Sequence, residues 1–412
     1  MEYGRGLREL PPGAIGIIHW APQVNGSARL YTRKYMSFRT LLVPFMLIAA
    51  SNAGCVSAPP PGPAPVSLAV APPPVPLEEK FPLPLVELRG SAADLGTGHG
   101  KQLAEPIKLL QDKYLRVYMG SPGHRLLAMA AASLFEAKFR PEHRTETAAM
   151  AKEVGMDPRE AILAQCFLDL SPMTACSTIT LPASAAPDHV ARFGRNLDFP
   201  SFNIADKYTT VFVYHPDDGR YQFAAIGWPG MAGVLSGMNE HGLALANMEV
   251  TRGSRLPDAM PYTLLYRTVL ERCRTVDEAV KLLESTPRQT SNNLMLMDAS
   301  GTRAVVEITP KSVKMRHGTE GSALISTNHQ RGEDADTAGR CNRYDLLHDT
   351  AKSDYGHIGE KQIESMLAGA AQGDFTLQSM VFEPSTRTLY LAAGRNAASG
   401  KFHRLDLKKY FH

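Results

Sequence analysis

Cys176 is the residue in this chain whose surroundings best suit a chemical role. It follows Ala175 and precedes a Ser-Thr pair, at the point where helical sequence gives way to strand sequence. Downstream, the segment FGRNLDF places Arg195 and Asp198 three residues apart. A nucleophilic thiolate needs positive charge nearby and a base that takes up its proton. The sequence therefore indicates a thiol nucleophile at position 176.

A cut between Ala175 and Cys176 would supply the missing base, because Cys176 would then carry a free α-amino group. Such an amine titrates near about 7.7–8.0, so it can accept the proton of its own thiol close to neutral pH. Arg195 would favour the thiolate, and Asp198 would accept a hydrogen bond from the α-ammonium group. The alternative on these residues alone is an ordinary surface ion pair between Arg195 and Asp198.

Other kinds of site find no support in the sequence. There is no HExxH motif, no paired CxxC motif and no GxSxG motif, and the glycine-rich stretch GTGHGK (96–101) lacks the Ser or Thr of a phosphate loop. The net charge of +3 and the absence of a basic stripe with aromatic residues do not indicate nucleic acid binding. We therefore expect no metal, no cofactor and no nucleic acid partner.

The order of several motifs resembles that of the N-terminal-nucleophile (Ntn) cysteine hydrolases, and of the choloylglycine hydrolase and penicillin V acylase superfamily in particular. These motifs are Cys176-Ser-Thr, FGRNLDF, LSGMNEHGLALANMEV (235–250), STNHQ (326–330) and CNRYDLL (341–347). The upstream segment VELRGSAADLGTGHGKQLAE (86–105) is similar to the acyl-coenzyme A:6-aminopenicillanic acid acyltransferase branch. The resemblance covers about residues 86–412.

The resemblance implies a role for five residues. Cys176 would be both nucleophile and base, and Arg195 and Asp198 would be its charge partner and its amine-orienting partner. Asn328 would donate to the oxyanion through its side-chain amide, and Arg343, at the start of a helix, would support the nucleophile electrostatically. Their structural alternatives are an amide that caps a strand end for Asn328 and an exposed helix-terminal charge for Arg343.

The second oxyanion donor stays open. Strict alignment places Glu249 where choloylglycine hydrolases have an Asn, and an ionised Glu cannot donate a hydrogen bond. Asn247, two residues earlier on the same face of a strand, or a backbone N–H would replace it. Asn239, in the GMNE motif, is expected to fix a turn instead.

The sequence pattern predicts helices over residues 101–170, where Asp157 caps a helix that begins at Pro158. After residue 176 short strands predominate in adjacent runs, interrupted by helices at about 260–273 and 275–285, which favours an antiparallel α+β fold. The resemblance implies a four-layer αββα sandwich with two antiparallel sheets. In that fold Cys176 opens a central strand.

The N-terminal region has the layout of an export signal. Basic residues precede an apolar stretch, and small residues then lead to Cys55, as at a lipoprotein processing site. We expect residues 1–55 to be this export segment with lipidation at Cys55. Met36 is suitably placed as a start codon, which would leave 1–35 untranslated. This predicts an exported protein, periplasmic or anchored to the membrane by lipid.

The chain is predicted to contain three further segments. A Pro-rich tether, too poor in backbone donors for helix or sheet, covers residues 56–85. A helical pro-segment covers 86–175, and the Ntn catalytic core covers 176–412. The resemblance to the acyltransferase branch implies that the pro-segment remains associated with the core after the cut.

The predicted function is a self-processing cysteine amidohydrolase that cleaves linear C–N amide bonds of small N-acyl substrates through a Cys176 thioester. Three alternatives stay open: an acyltransferase that passes the acyl group to an amine or thiol, a non-catalytic lipoprotein binding module, and a cysteine peptidase that uses a histidine base. Trp228, Met231 and Met238 lie near the presumed site in the sequence. They indicate either an apolar pocket for an acyl or aryl group, or plain core packing.

Overall fold

Two β-sheets form the centre of the structure, a computed structural model that describes residues 81–170, 174–250, 259–332 and 341–412. The first sheet has eight strands in the order β1-β4-β5-β6-β7-β8-β9-β10, and the second has six in the order β11-β2-β3-β12-β13-β14. The strands are β1 (Leu85–Gly90), β2 (Ala175–Leu181), β3 (Arg192–Asp198), β4 (Thr210–Pro216), β5 (Phe223–Gly227), β6 (Ser236–Asn239), β7 (Ala244–Val250), β8 (Ser291–Met297), β9 (Arg303–Ile308), β10 (Val313–His317), β11 (Leu324–Ser326), β12 (Thr376–Glu383), β13 (Thr388–Ala393) and β14 (His403–Asp406).

Helices cover the outer faces of both sheets. They are α1 (Ala92–Leu109), α2 (Arg116–Met119), α3 (Pro122–Glu136), α4 (Pro141–Val154), α5 (Pro158–Leu170), α6 (Tyr262–Arg272), α7 (Val276–Ser285), α8 (Asn342–Ser353) and α9 (Glu360–Gly369). A π-helical turn, Leu110–Leu115, joins α1 to α2. Not one helix in this described part is both long and apolar enough to cross a membrane.

The layers alternate as helix, sheet, sheet, helix. Helix α9 contacts β3 and β12 of the six-stranded sheet, whereas α1, α6 and α7 contact strands of the eight-stranded sheet. Between the sheets, β2 lies against β7, and the side chain of Arg195 in β3 donates to the main-chain oxygen of Asn247 in β7. The predicted α+β fold with two antiparallel-rich sheets between helices is therefore confirmed.

The segment before Cys176 contributes a strand as well as helices. Strand β1 pairs with β4 in parallel, with Leu85 opposite Val211. The other described pairings of this sheet are antiparallel. The helical pattern of residues 101–170 is confirmed, but the β1 strand at its start was not predicted. One sheet thus contains residues from both sides of position 176.

Several local features follow from short-range sequence signals, and the predicted turn at Asn239 is among them. Strands β8 and β9 form one hairpin and β12 and β13 another. Thr275 caps α7 by accepting from the Glu278 amide at 3.2 Å. The side chain of Asn239 accepts from the main-chain amides of His241 and Leu243, so this residue does fix a turn. Cys166 and Cys273 are buried free thiols. Cys55 and the expected export segment lie outside the described residues, as does most of the Pro-rich tether.

Candidate active site

Cys176 is the second residue of β2 and is fully buried. The segment ACSTITL is rich in β-branched residues, which suits a strand that is covered on both faces. Cys176 stands opposite Leu197 of β3, while Ala175 stands opposite Asp198. The chain is continuous through Ala175 and Cys176, so the site described here is that of the uncut protein.

Asn328 holds the main chain on both sides of the Ala175–Cys176 peptide bond. Its side-chain oxygen accepts from the Cys176 amide at 2.8 Å. Its side-chain nitrogen donates to the main-chain oxygen of Glu249 at 2.8 Å, and to that of Thr174 at 3.4 Å. Asn328 follows β11, the strand that pairs with β2, and this pairing explains its closeness to Cys176.

Arg343 lies in the first turn of α8, as predicted, and meets three groups of the site. One terminal nitrogen donates to the main-chain oxygen of Cys176 and lies 3.6 Å from the carboxylate of Asp198. The other donates to the side-chain oxygen of Asn328 at 3.0 Å. Its side chain is largely buried, 15% exposed, so it is not the exposed helix-terminal charge of the alternative interpretation.

Asp198 ends β3, with one carboxylate oxygen accepting from the hydroxyl of Thr376 at 2.5 Å. The other oxygen is buried and accepts no hydrogen bond within the described residues. Burial raises the pKa of Asp198 to about 6, although Thr376, Arg343 and Arg195 each lower it. This carboxylate is therefore close to the peptide bond at 176 and has a free acceptor.

Arg195 is fully buried between the sheets and donates to the main-chain oxygen of Asn247 at 2.6 Å. The surface ion pair is therefore the wrong interpretation of Arg195 and Asp198. Burial raises the pKa of the Cys176 thiol; the charges of Arg195 and Arg343 lower it, and those of Asp198 and Glu249 raise it. In the uncut chain, positive charge is near the thiol but does not outweigh burial.

Asn247, a candidate second oxyanion donor, is buried in β7. Its main-chain groups are used by Arg195 and by Leu235, whose oxygen accepts from the Asn247 amide at 2.9 Å. Both polar atoms of its side chain are buried without a hydrogen-bond partner within the described ranges. The Asn247 amide is therefore not committed to another group of the described fold.

Sequence reasoning missed the part played by Glu249 in the uncut chain. Its carboxylate accepts from both the main-chain amide and the hydroxyl of Thr174, at 3.2 and 2.9 Å. Thr174 directly precedes Ala175, so Glu249 holds the chain on the upstream side of the peptide bond at 176. The replacement of the expected Asn by Glu249 was the signal that could have indicated this contact.

One group of side chains has the composition of a metal site. Ligand atoms of Glu142, His143 and Glu271 lie within 4.8 Å of one another. These carboxylates already meet arginines, with Arg272 2.8 Å from Glu142 and Arg220 2.7 Å from Glu271. The group joins α4 to α6 as an ion-pair network, and its own cations balance its negative charge.

The predicted apolar pocket takes a somewhat different form. Trp228 and Met231 line a cavity together with residues of the π-helical turn and of α5. Met238 does not line it and is fully buried in β6. For Met238, core packing is therefore the correct interpretation.

Comparison with known proteins gives one family and several distant structural neighbours. The family model described as acyl-coenzyme A:6-aminopenicillanic acid acyl-transferase matches residues 185–398. Protein dcd1A of Dictyostelium discoideum is 28% identical over 126 residues, a stretch that covers 28% of this chain and 29% of that protein. The chain thus spans less than a third of the length of this curated relative.

Among solved structures, the Caenorhabditis elegans ortholog of N-acylethanolamine-hydrolyzing acid amidase is 17% identical, with a TM-score of 0.41, covering 51% of this chain and 93% of its own. A mutant form of the conjugated bile acid hydrolase of Clostridium perfringens is 16% identical with a TM-score of 0.39. The match covers 57% of this chain and 93% of the bile acid hydrolase chain. Penicillin V acylase of Agrobacterium tumefaciens is 15% identical with a TM-score of 0.39. The match covers 57% of this chain and 87% of the acylase chain.

Proposed function

The chain belongs to the acyl-coenzyme A:6-aminopenicillanic acid acyl-transferase family, and we propose that it is a self-processing cysteine amidohydrolase. Its substrates would be small molecules with a linear N-acyl amide bond. The observation that carries the proposal is the binding of both main-chain groups of Cys176, the amide by Asn328 and the carbonyl by Arg343. A buried structural cysteine has no need of two charged or polar side chains on its own peptide groups.

Self-processing begins with the Cys176 sulfur. It attacks the carbonyl carbon of Ala175, an S–C bond forms, and the C–N bond to Cys176 breaks as the nitrogen takes the thiol proton. Water then hydrolyses the thioester, which leaves a carboxylate on Ala175 and a free thiol and α-amine on Cys176. Asn328 supports this step through its contacts on both sides of the bond, and Glu249 through its hold on Thr174.

The freed α-amine then serves as the base for substrate turnover. It takes the thiol proton while the sulfur attacks the substrate carbonyl, and it returns the proton to the leaving amine. Asp198 would orient the ammonium form through its free carboxylate oxygen, and Arg195 and Arg343 would favour the thiolate. The oxyanion would meet the side-chain amide of Asn328 and a second donor, for which Asn247 is the candidate.

An acyltransferase is the second candidate, because the description of the matched family is that of an acyl-transferase. The same thioester would then pass its acyl group to an amine or a thiol instead of water. Partition experiments with increasing concentrations of hydroxylamine distinguish the acyltransferase from the hydrolase. An acyltransferase would form hydroxamate in place of free acid even at low hydroxylamine concentrations.

Self-processing is tested by intact-mass analysis and N-terminal sequencing of the purified protein beside Cys176→Ala. We expect two chains from the wild type, one of which begins Cys-Ser-Thr-Ile, and one uncut chain from the variant. A folded wild-type protein that stays uncut would lack the α-amine on which the mechanism depends. It would then have to be considered as a binding protein or as an enzyme with a different base.

Export and lipid attachment at Cys55 remain part of this proposal, with the enzyme in the periplasm or tethered to a membrane. The support is the basic, apolar and small-residue order that leads to Cys55 in the sequence. Cell fractionation of the full chain beside Cys55→Ala tests it. Loss of the membrane-bound fraction in the variant supports lipidation, and an unchanged distribution contradicts it.

A further inference from the structure

A cavity of about 40 Å³ lies between the segment before Cys176 and the catalytic core. The π-helical turn Leu110–Leu115 forms one wall and the loop 228–231 forms another, with Ala164 and Phe167 of α5 between them. π-Helical turns are rare and are found frequently at functional sites. By the same measure of volume a water molecule needs about 10–15 Å³, so about three to four non-hydrogen atoms fit.

Gln111, in the π-helical turn, brings a polar group to this otherwise apolar cavity. The residue is 94% buried, at 6% exposure, and it lines the cavity. Its side-chain oxygen is fully buried and has no hydrogen-bond partner within the described part of the chain. Because a buried acceptor without a partner costs stability, this oxygen indicates a ligand that donates a hydrogen bond there.

Phe202 covers the aromatic residues beside the cavity in a strained conformation. It has a φ of 47°, in the left-handed region that a bulky side chain rarely adopts, and it is 37% exposed. Its ring lies 5.5 Å from the ring of Tyr114, which lines the cavity, and 6.4 Å from that of Tyr118. Strain of this kind persists at ligand clamps, where a residue must take one position over a site.

The cavity reaches the strand that pairs with the nucleophile's strand. Phe199 lines the cavity and follows Asp198 at the end of β3. Leu197 stands opposite Cys176, so Phe199, two residues further along, is the diagonal neighbour of Cys176 on the same face. Diagonal neighbours in an antiparallel pair are about 7–8 Å apart, the length of a short acyl chain.

We infer that this cavity holds the acyl group of the substrate, and that the group is a short apolar chain with one hydrogen-bond donor at its far end. The inference rests on the proposed function, because the thioester bond to the Cys176 sulfur fixes the position of the near end of the acyl chain. Gln111 would accept from the donor, and Phe202 would cover the chain.

Residues upstream of the cut bind the loop 228–231, which is a wall of the cavity that belongs to the catalytic core. His99 of α1 accepts from the Gly230 amide at 3.0 Å, and burial lowers its pKa to about 3, which keeps the acceptor nitrogen neutral. Gln165 of α5 donates to the Gly230 oxygen at 2.8 Å and accepts from the Ala232 amide at 2.7 Å. The specificity pocket would thus depend on a segment that processing separates from the nucleophile.

The pocket is tested in the full chain with Cys176→Ala, which contains the cavity but no thiol chemistry. In a Trp20→Phe background Trp228 is the only tryptophan, so its fluorescence reports on the cavity directly. We expect 4-hydroxybutanamide to change this fluorescence saturably. Gln111→Leu should weaken its binding about tenfold, the usual effect of one buried hydrogen bond, while butanamide binds at least as well as before.

Two further variants keep this test decisive. Ala164→Phe should fill the cavity and abolish binding of both amides, and Met231→Ala should enlarge it and admit hexanamide; thermal melts show whether each variant folds. The inference is overturned if no amide binds saturably, or if Gln111→Leu affects both butyl amides equally. Because the assay needs no Cys176 thiol, these outcomes are independent of whether the protein cuts itself or hydrolyses amides.

Discussion

The side-chain oxygen of Asn328 accepts a hydrogen bond from the main-chain amide of Cys176, over a distance of 2.8 Å. The same oxygen accepts from Arg343 at 3.0 Å, so the guanidinium group fixes which way the Asn328 amide points. The side-chain nitrogen is thereby directed to the main-chain oxygens of Glu249 and Thr174. Arg343 therefore positions the donor that the proposed mechanism assigns to the oxyanion.

Replacing Asn328 by Ala should slow self-cleavage by roughly tenfold or more, because it removes the hydrogen bonds that hold the main chain on both sides of the cut, each worth about 0.5–1.5 kcal/mol. The loss of uncut chain over time, followed by gel electrophoresis and intact mass, measures the effect. Asn342→Ala is the matched control, because Asn342 is exposed on the same helix as Arg343. Equal cleavage rates in the two variants would remove Asn328 from the mechanism.

The pKa of Asp198, raised to about 6 by burial, predicts a pH dependence of amide hydrolysis by the cut protein. The proposed role of Asp198, to orient the ammonium group of Cys176, requires its ionised form, so the hydrolysis rate should rise as the pH passes through about 6. In Asp198→Asn this rise should be absent. Thr376→Val removes a hydrogen bond that lowers the pKa of Asp198, so the rise should move to higher pH. A wild-type profile without a rise near 6 would contradict the assignment.

The carboxyl group of Asp198 should also make the free energy of unfolding depend on pH, whether or not the chain is cut. Because the pKa of Asp198 is higher in the fold than in the unfolded chain, its contribution to stability is complete below about pH 4 and is lost as the pH rises through about 6. Two pKa units correspond to about 3 kcal/mol. The free energy of unfolding of uncut Cys176→Ala should fall by this order between pH 4 and 7, and adding Asp198→Asn should remove most of the fall.

Cys341 should react with iodoacetamide before Cys176 does. Burial raises the pKa of Cys341, but hydrogen bonds from His329 and Thr327, the Tyr344 amide and the charge of Arg343 together lower it to about 6. More than half of this thiol is therefore ionised at pH 7, whereas the pKa of the Cys176 thiol is raised in the uncut chain.

Peptide mapping of the labelled, uncut protein measures the two rates. Labelling of Cys341 should increase from pH 5 to 7 with a midpoint near 6. Thr327→Val should move that midpoint upward, because it removes the hydroxyl 3.6 Å from the sulfur. Faster labelling of Cys176 than of Cys341 at pH 6 would contradict the prediction that Cys341 is the more reactive thiol of the uncut protein.

The sequence was informative where local chemistry decides the structure. The residue types around Cys176, Arg195 and Asp198 indicated a reactive site, and turn and cap residues such as Asn239 and Thr275 fixed local geometry through their own side chains. These features depend on neighbours close in the chain. Short-range patterns are therefore enough to predict them.

Contacts between distant parts of the chain could not be read in the same way. The parallel pairing of β1 with β4 depends on which sheet edge the first strand meets, and nothing in LVELRG alone encodes that choice. The raised pKa of the Cys176 thiol follows from burial between two sheets, which residue charges alone do not indicate. The contact between Glu249 and Thr174 likewise joins residues 75 positions apart.

After cleavage, the segment before Cys176 should stay bound to the core, and a buried ion pair should decide how firmly. Both terminal nitrogens of Arg267 in α6 donate to the carboxylate of Glu146 in α4, at 2.8 and 2.6 Å, and both side chains are almost fully buried. Removing one partner of such a pair typically costs about 3–5 kcal/mol. Arg267→Met should therefore release the segment at lower urea concentrations than wild type.

Size-exclusion chromatography of the cut protein in rising urea measures this release. Arg272→Met is the control, because the bridge from Arg272 to Glu142 also joins α6 to α4 but has an arginine that is 40% exposed. Such a partly exposed pair is worth at most about 1 kcal/mol, so release should shift little. Adding Glu146→Leu to Arg267→Met should restore most of the retention, since no unpaired carboxylate is then left in the interface. Release of the segment without urea in the wild type would instead show that β1 and this pair do not suffice to hold it.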